Sequence, residues 1–355
     1  MSTSIRGGKA GKARLMDVAN AAGVSIATAS RVLSKPHLVR EDVKERVHQA
    51  IKILNYTPDR IARALSSGRN TTVGAIVPTL GTAVFAEGVE CLQNRLDDLG
   101  YTLLLGNSQY DARKECKQIQ AFLEHSVAGL LLVAGDLAPA SLKLIKSSRV
   151  PVVATYMQES PYGFPTVGIN NEAATARLAE HLISLGHTRF AIISNTARAN
   201  ARSAARRDGA INAMKAAGLT VRPELVVEVD TPTIINGRAA MNGILAASSD
   251  VTAVICTTDA LAVGALAECR SQNLRVPDDI SVTGYDDMEL AAQVDPPLTT
   301  VKIPVREISL RAVDILVAMI SGRTTEQKVE LDASIVYRES IAPPRSDRLG
   351  KLGTP

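Results

Sequence analysis

Two short helical patterns stand close to the amino terminus. Apolar residues recur at helical spacing in residues 16–22 and again in residues 29–33, and Gly23 separates the two runs. A glycine in a short turn between two helices is typical of a helix-turn-helix, and Ser25 stands where the second helix needs its N-cap. The second helix therefore begins at Ile26. Its solvent face then carries a small, mixed and basic set of side chains, Ile26, Ala27, Ser30 and Arg31. The alternative for this segment alone is an ordinary helical hairpin.

A third helical stripe runs from Arg40 to Leu54. Its apolar positions follow the spacing i, i+4, i+7, i+8, i+11, namely Val43, Val47, Ala50, Ile51 and Leu54. Such a stripe can cover the two shorter helices and close a three-helix core. After the break at Pro58, residues 59–68 form a shorter helical pattern with proline before it and glycine at its end. Because helix nucleation is costly, we expect this segment to be helical only when something holds it.

From Thr72 onward, short β-rich runs alternate with amphipathic helical stretches. The candidate strands are Val73–Val77, Thr102–Leu105, Gly129–Val133, Val152–Thr155, Phe190–Ser194, Leu225–Val229, Ala253–Cys256 and Ile280–Thr283. The candidate helices include Glu87–Leu99, Glu115–His125, Ala173–Leu185 and Ser203–Ala217. Continuous apolar strands separated by helices predict parallel sheets that are covered on both faces. Since these units exceed one doubly wound sheet, we expect two α/β subdomains.

The charge of the chain is divided unevenly. Residues 1–70 contain 13 Lys and Arg against 5 Asp and Glu, whereas the remaining residues contain 27 against 31. A basic amino-terminal part on a mildly acidic body is typical of a nucleic-acid-binding head. A solvated basic surface is the plainer interpretation, but the charge coincides with the helix-turn-helix. At 355 residues with 46% hydrophobic content, the chain is long enough for two or three globular domains.

Several function classes lack their sequence signals. The first fourteen residues contain no apolar signal-peptide core, and no apolar run approaches the roughly 20 residues of a membrane span. The four cysteines are scattered and the five histidines show no metal-ligand spacing, while residues 7–12 resemble a phosphate loop only superficially. We therefore expect a cytoplasmic protein with no membrane segment, no metal and no cofactor.

The run "MDVANAAGVSIATASRVLSKPHLVREDVKERVHQAIKILNYTPDRIARALSSGR" resembles the DNA-binding headpiece and hinge of the LacI/GalR (lactose-repressor/galactose-repressor) family. The segments "DGAINAMKAAGL", "TTDALAVGALAECRSQNLRVPDDISVTGYDD" and "DPPLTTVKIP" are similar to the core of that family. The likeness spans roughly Leu15 to Ser340 in the same order. It implies an all-α helix-turn-helix headpiece followed by a periplasmic-binding-protein-like core, built from two doubly wound parallel-sheet subdomains.

The resemblance also implies domain boundaries. We expect a basic flexible tail at 1–14, a helix-turn-helix domain at 15–56, a hinge helix and linker at 57–70, an effector-binding core at 71–341 and a flexible tail at 342–355. The first subdomain would contain 71–170 and 298–327, and the second 171–297 and 328–341, with crossings near Asn171, Pro297 and Lys328. In this prediction the chain returns to the first subdomain from Thr299. The carboxyl-terminal tail has no leucine heptads, which predicts a homodimer rather than a tetramer.

On DNA, the family pattern assigns the residues to different roles. Ile26 and Ala27 would face base edges and contact thymine methyl groups, and Arg31 would contact guanine. Ser25, Thr28 and Ser30 would contact phosphates together with Arg14, which replaces a capping Thr of the family. For Thr28 and Ser30 the alternative is a plain surface hydroxyl.

In the hinge, Arg63 lies beside Leu65, which would wedge into the minor groove of the operator. The plainer interpretation of Leu65 is an ordinary apolar linker residue.

Ligands of open α/β sheets bind outside the carboxyl ends of the strands. The residues that this rule and the resemblance select for effector binding are Phe85, Asn107, Asp136, Tyr156, Arg206, Asp259 and Asp286. An Arg and two Asp would clamp vicinal hydroxyls or a carboxylate, although both Asp could instead cap helices. The family often has two aromatic residues in the first loop, whereas this chain has only Phe85. We therefore expect a sugar, sugar acid or sugar phosphate rather than an extensively stacked purine.

The resulting hypothesis is a ligand-responsive dimeric repressor of bacterial, nucleoid-associated type that binds a double-stranded DNA operator. A solute receptor would share the core but would need a signal peptide and no basic head. An enzyme with an added DNA-binding domain would need a catalytic constellation, and none of the common catalytic motifs occurs in the sequence. We therefore predict that the protein is not an enzyme.

Overall fold

The computed structural model describes residues 13–34, 36–56, 70–133, 137–195 and 200–345. The chain divides into two compact units, Met1–Thr71 and Thr72–Pro355, which we call the head and the core. The predicted amino-terminal tail up to residue 12 and the predicted hinge from 57 to 69 lie outside the described residues.

Within its described residues, the head contains three α-helices around a small apolar centre. They are α1 (Leu15–Ala21), α2 (Ile26–Ser34) and α3 (Glu41–Ile53). The residues buried together between them are Val18, Ala22, Val32, Val47 and Ala50. The helical spacing read from the sequence is confirmed, because the buried positions of each helix lie on the stripe that the pattern predicted.

The turn between α1 and α2 depends on local backbone chemistry. Gly23 has φ +64°, a left-handed conformation that glycine adopts without steric cost. The Val24 amide then donates to the Ala19 carbonyl at 3.0 Å. From α3, Arg46 Nη1 donates to the Ala22 carbonyl at 3.2 Å and so holds the end of α1. The turn is therefore fixed both by its own sequence and by the third helix.

The first sheet of the core is wholly parallel, with the strand order β11-β5-β4-β3-β1-β2. Its strands are β1 (Thr72–Val77), β2 (Thr102–Asn107), β3 (Gly129–Leu132), β4 (Val152–Thr155), β5 (Thr166–Gly168) and β11 (Lys328–Glu330). Its helices are α4 (Ala83–Asp98), α5 (Ala112–Glu124), α6 (Pro139–Ser148) and α11 (Val305–Ile320).

The second sheet has the order β12-β10-β9-β8-β6-β7, and only the β10–β12 pair is antiparallel. Its strands are β6 (Phe190–Asn195), β7 (Val226–Val229), β8 (Ala253–Cys256), β9 (Ser281–Asp286), β10 (Thr299–Lys302) and β12 (Ser334–Val336). The accompanying helices are α7 (Asn171–Ser184), α8 (Ala201–Ala216), α9 (Ile234–Ala247) and α10 (Asp259–Ser271). The expected architecture of two α/β subdomains is confirmed. Throughout the described ranges, no helix combines the length and apolar character needed to cross a membrane.

Two predicted crossing points are wrong by one strand. The sequence predicts that the segment from Thr299 belongs to the first subdomain, but β10 pairs with β9 in the second sheet and the chain leaves only after Lys302. Likewise, the predicted boundary assigns residues 328–330 to the second subdomain, but β11 pairs with β5 in the first sheet. These strands are three or four residues long. A run so short carries no pattern that selects its partner, so pairing is decided by tertiary contacts.

The predicted flexible tail starts too early, because residues 342–345 pack on the second subdomain. Ala342 donates its amide to Ser281 Oγ at 3.1 Å, and its carbonyl oxygen lies 2.9 Å from His187 Nε2. Since a carbonyl only accepts, Nε2 carries the proton and Nδ1 accepts from the Thr252 hydroxyl at 3.0 Å. His187 is 1% exposed, and burial lowers its pKa to about 4. The imidazole is thus neutral, and its hydrogen bond to Ala342 holds the carboxyl-terminal segment on the second subdomain.

The buried His187 predicts a pH-dependent stability. Because its folded pKa of about 4 lies below the unfolded value of about 6.5, its contribution is complete above pH 6.5 and declines as the pH falls. Between pH 7 and pH 5 the wild-type core should lose about 2 kcal/mol of unfolding free energy through this group. Urea denaturation at both pH values measures the loss. His187→Gln should remove that part of the pH dependence, and an equal slope in both proteins would contradict the assignment.

Candidate functional site

The recognition face of the head is formed by α2. Its N-cap is Ser25, whose Oγ accepts from the Thr28 amide at 3.1 Å, so the predicted helix start at Ile26 is confirmed. Ala29 and Val32 are buried on the inner side of the helix. On the outer side Ile26, Ala27 and Arg31 are exposed, and Ile26 leaves 48% of its surface open. An apolar and basic strip therefore faces outward on this helix.

The hydroxyl groups and Arg14 have their own local partners. Ser25 Oγ and Thr28 Oγ1 lie 2.9 Å apart, and both Thr28 and Ser30 are only half-buried. Arg14 occupies the N-cap position of α1 without capping it, but Asp17 Oδ2 accepts from the Arg14 amide at 2.8 Å. The exposed Arg14 side chain is thereby left at the start of the helix.

A cleft lies in the core at the carboxyl ends of strands from both sheets. Four of its lining side chains were selected from the sequence, namely Phe85, Tyr156, Arg206 and Asp286. Phe85 lies in the first turn of α4 rather than in a loop, because this helix begins at Ala83. The structure thus brings these four predicted side chains together in one cleft.

Arg206 is the centre of a buried polar network. Its Nε donates to Asn171 Oδ1 and its Nη1 to the Thr257 carbonyl, each at 2.9 Å. Nη1 also lies 3.3 Å from Asp286 Oδ1, and both side chains of this ion pair are at most 10% exposed. The guanidinium carbon is 3.6 Å from the centre of the Tyr285 ring, and the Tyr285 hydroxyl donates to Asn171 Oδ1 at 3.2 Å. Arg206 is therefore held in one orientation.

Asp286 ends β9 in a strained backbone conformation. Its φ is +121°, and the following Asp287 has φ +57°. Non-glycine residues with positive φ persist where the surrounding structure holds them, and they concentrate at ligand sites. Burial raises the pKa of the Asp286 carboxyl above its ordinary value, while Arg206 opposes that shift. The carboxylate is thus buried, oriented and paired at the cleft surface.

Asp259 points into the protein rather than lining this cleft. It is fully buried, Oδ1 accepts from Thr300 Oγ1 at 2.5 Å, and Oδ2 accepts from the Met288 amide at 2.7 Å. Burial, followed by the nearby Asp286 charge, raises the pKa of the Asp259 carboxyl. The N-cap of α10 is Thr258, so the capping alternative for Asp259 is wrong. Asp259 therefore positions Thr300 of β10 and the segment that follows β9.

One other predicted effector-binding residue, Asn107, lies outside this arrangement, and another falls on a part of the chain that is not described. Asn107 ends β2, where its Oδ1 accepts from the Gln109 amide at 3.2 Å and its carbonyl accepts from Gln118 Nε2 at 2.7 Å. It is not among the lining residues of the cleft. Asp136 falls outside the described residues.

The cleft also contains residues that the sequence interpretation missed. They are Thr82, Val84, Tyr110, Asn200, Arg202, Pro232, Thr258 and Ile303. Arg202 could have been found, because it precedes Arg206 by four residues on α8 and therefore lies on the same helix face. Tyr110 lies beyond the end of β2, outside the positions that directly follow a strand. The strand-end rule alone does not reach either residue.

Aromatic rings from three segments line the cleft. Phe85 and Tyr156 meet edge to face, with ring centres 5.5 Å apart, and Tyr110 contributes a third ring. Tyr110 and Tyr156 have φ values of +57° and +64°. Phe85 is therefore joined in the cleft by aromatic rings from two other segments, which weakens the sequence argument against a stacked ligand.

The chain matches two family profiles. Residues 14–59 match bacterial regulatory proteins of the lacI family, and residues 179–341 match a periplasmic binding protein-like domain. The HTH-type transcriptional repressor PurR of Aliivibrio fischeri strain ES114 is 34% identical over 336 residues, which cover 93% of this chain and 98% of the relative.

Solved structures agree with this assignment. The lac repressor dimer bound to operator and the anti-inducer ONPF has a TM-score of 0.83 at 26% identity, over 93% of this chain and 99% of that one. A complex of the transcriptional regulator CelR with cellobiose has a TM-score of 0.70 at 28% identity, over 92% and 99%. This chain belongs to the LacI family of bacterial regulatory proteins, as a DNA-binding transcriptional repressor with an effector-binding domain and not as an enzyme.

Proposed function

We propose that the protein binds a pseudo-palindromic operator as a homodimer and that a small hydroxylated effector in the cleft controls its affinity for DNA. The observation that carries this proposal is the outward face of α2, where Ile26, Ala27 and Arg31 are exposed together. An isoleucine that leaves 48% of its surface in water gains stability by contacting thymine methyl groups in a major groove. The protein would act in the bacterial cytoplasm on the chromosome.

Other head residues supply the sequence-independent part of binding. In this proposal the hydroxyls of Ser25, Thr28 and Ser30 and the charge of Arg14 contact phosphates. Arg63 and Leu65, which belong to the undescribed hinge, would contact the minor groove, with Leu65 as the wedge that opens a base step. Two heads must be held about one helical turn apart, or a multiple of it, to read both half-sites.

The cleft supports a sugar or sugar derivative as the effector. The buried pair of Arg206 and Asp286 offers charge-assisted hydrogen bonds to vicinal hydroxyls, and the rings of Phe85 and Tyr156 offer an apolar wall. A related regulator is described in complex with cellobiose. An effector that prefers one arrangement of the two subdomains over the other would change the spacing of the heads and hence operator affinity. Whether the effector raises or lowers operator affinity depends on which arrangement of the two subdomains the effector prefers.

The proposal is tested by selecting operators from random duplexes with the full-length protein. We expect a twofold-symmetric site whose binding weakens steeply with salt. Arg31→Met should reduce discrimination between this site and a site changed at the contacted guanine by about 1–3 kcal/mol. Arg40→Met is the matched control, since Arg40 lies outside α2 and pairs with Asp42 at 3.1 Å. Failure to select any salt-sensitive symmetric site would reject the proposed function.

A further inference from the structure

Asn171 lies where the chain first crosses from one subdomain to the other. Strand β5 of the first sheet ends at Gly168, and α7 of the second subdomain begins at Asn171. The preceding Asn170 caps this helix, because its side chain accepts from the Ala173 amide at 2.9 Å. Asn171 is therefore not needed for the cap, yet its residue is only 5% exposed. A buried amide of this kind is costly unless its donor and acceptor are both satisfied.

The side-chain amide of Asn171 joins residues of both subdomains. Its Nδ2 donates to the Tyr156 carbonyl of the first subdomain at 3.0 Å, with a longer contact of 3.5 Å to the Ile169 carbonyl. Its Oδ1 accepts from Arg206 Nε at 2.9 Å and from the Tyr285 hydroxyl at 3.2 Å, both in the second subdomain. Tyr156 and Arg206 line the cleft from opposite subdomains. Asn171 therefore connects the two walls of the cleft through hydrogen bonds.

The Tyr156 carbonyl is held in place by the first subdomain. The Tyr156 amide donates to the Val167 carbonyl of β5 at 2.9 Å. The next residue, Met157, packs so closely on β5 that a Cβ added to Gly168 would lie 2.3 Å from the Met157 amide nitrogen. Because these contacts fix the segment, a relative movement of the subdomains acts on the hydrogen bond between the Tyr156 carbonyl and Asn171.

We propose that Asn171 is a positioning residue of the effector cleft, and that its hydrogen bond to Tyr156 stabilises the arrangement of the two subdomains that the structure shows. Asn171 is not a lining residue, so it acts through Tyr156 and Arg206. A buried hydrogen bond that forms in one arrangement and not in another shifts the equilibrium between them. The inference rests on the proposed function, in which this equilibrium governs operator affinity, and it names the contact that sets the equilibrium.

Replacing Asn171 by aspartate tests the assignment on the full-length protein without any effector. Aspartate has the same shape and keeps an acceptor for Arg206 and Tyr285, but an acceptor replaces the donor that faces the Tyr156 carbonyl. Since two facing acceptors disfavour this arrangement, operator affinity should change by about fivefold or more. It falls if the arrangement that the structure shows binds the operator, and rises if the other one does. Fluorescence anisotropy on the selected operator measures the affinity, and stoichiometric titration gives the active fraction, so that partial unfolding does not count as weaker binding.

Asn212→Asp is the matched control, because it adds the same negative charge. Asn212 Nδ2 donates to Glu172 Oε1 at 2.9 Å and so joins α8 to α7, but this bond is exposed and lies within the second subdomain. We expect operator affinity to change by less than about twofold. Asn171→Leu removes both sides of the bridge and should move operator affinity in the same direction as Asn171→Asp. If circular dichroism shows that Asn171→Leu is unfolded, the two aspartate variants decide the question.

The response to sugars provides a second readout of the same equilibrium. The probes are cellobiose, glucose, gluconate and glucose 6-phosphate, and operator affinity is measured with and without each of them. For a probe that acts on wild type, the factor by which it changes operator affinity should differ by about threefold or more in Asn171→Asp. Where none of the four acts on wild type, the measurement without effector decides alone.

The outcomes separate this inference from the proposed function. If wild type and Asn171→Asp share the same operator affinity and the same sugar response, the positioning role is rejected and the regulator stands. An equal change in Asn171→Asp and Asn212→Asp also rejects the role, because it would reflect the added charge alone. If wild type selects no symmetric operator, the proposed function fails and the inference fails with it. A change confined to the Asn171 variants supports the inference.

Discussion

Replacing Arg206 by methionine is expected to lower the free energy of unfolding of the core by about 3–5 kcal/mol, the range for breaking a buried ion pair by removal of one partner. The variant leaves the Asp286 carboxylate buried without its cation and removes the donors to Asn171 Oδ1 and the Thr257 carbonyl. Urea denaturation monitored by circular dichroism at pH 7 measures the loss.

The neighbouring Arg207 supplies a matched control for Arg206. It lies on the same helix, but its ion pairs with Asp208 and Glu228 are more exposed, with partner side chains 47% and 32% open to solvent. Because exposed ion pairs contribute little, Arg207→Met should lose no more than about 1 kcal/mol. Equal losses in the two variants would show that the buried network contributes nothing beyond an ordinary surface pair.

A double variant isolates the cost of the uncompensated carboxylate. Asp286→Asn removes the charge, and asparagine tolerates the positive φ of this position better than most residues do. Arg206→Met combined with Asp286→Asn should therefore be more stable than Arg206→Met alone, by about 1 kcal/mol or more. A double variant less stable than the single one would mean that Asp286 stabilises the core through contacts other than the pair.

Replacing Gly209 by alanine is expected to destabilise the core by about 3 kcal/mol, at the upper end of the cost of overpacking. A Cβ at this position would lie 2.2 Å from the carbonyl oxygen of Glu172 in α7. Because this atom belongs to the backbone, α7 and α8 can relieve the clash only by moving apart. The same movement would carry Arg206 on α8 away from Asn171 on α7, so the effector response should weaken together with stability.

Gly243→Ala is the control, and we expect it to change the stability in the opposite direction. It lies within α9, and a Cβ there would meet no atom within 4 Å. Since alanine is favoured over glycine in helices by about 0.5–1 kcal/mol, Gly243→Ala should stabilise the core slightly. Thermal or urea denaturation of the two variants measures both effects. Destabilisation of similar size in both would contradict the assignment, because Gly243→Ala lacks the close approach to α7 that explains the Gly209 result.

The head could be predicted from its sequence because its determinants are local. The glycine at 23, the N-cap at 25 and the apolar spacing of the third helix each act within a few residues, and the structure shows all three in the expected places. The long strands of the core were also found, since a buried parallel strand is a continuous apolar run. Three-residue strands such as β5 and β12 were not found, because so few residues show no period.

The residues in and around the cleft also divide into those that the sequence predicted correctly and those whose position only the fold decides. Asp286 ends a strand whose position was visible in the sequence, so the strand-end rule reached it, whereas Arg206 was selected through the family resemblance. Asp259 obeys the same rule but is turned inward by bonds from Thr300 and Met288, which come from other segments of the fold. Conversely, Arg202 and Tyr110 enter the cleft from positions that the rule does not examine.

The sequence by itself determined the helix-turn-helix, the class of the core and the strand ends from which several side chains reach the cleft. These features follow from periodicity, capping and strand order, which are properties of neighbouring residues. Only the tertiary structure decided which sheet receives β10 and β11, which carboxylate pairs with Arg206, and which side chains complete the cleft. Those outcomes depend on contacts between residues far apart in the chain, and no local pattern encodes them.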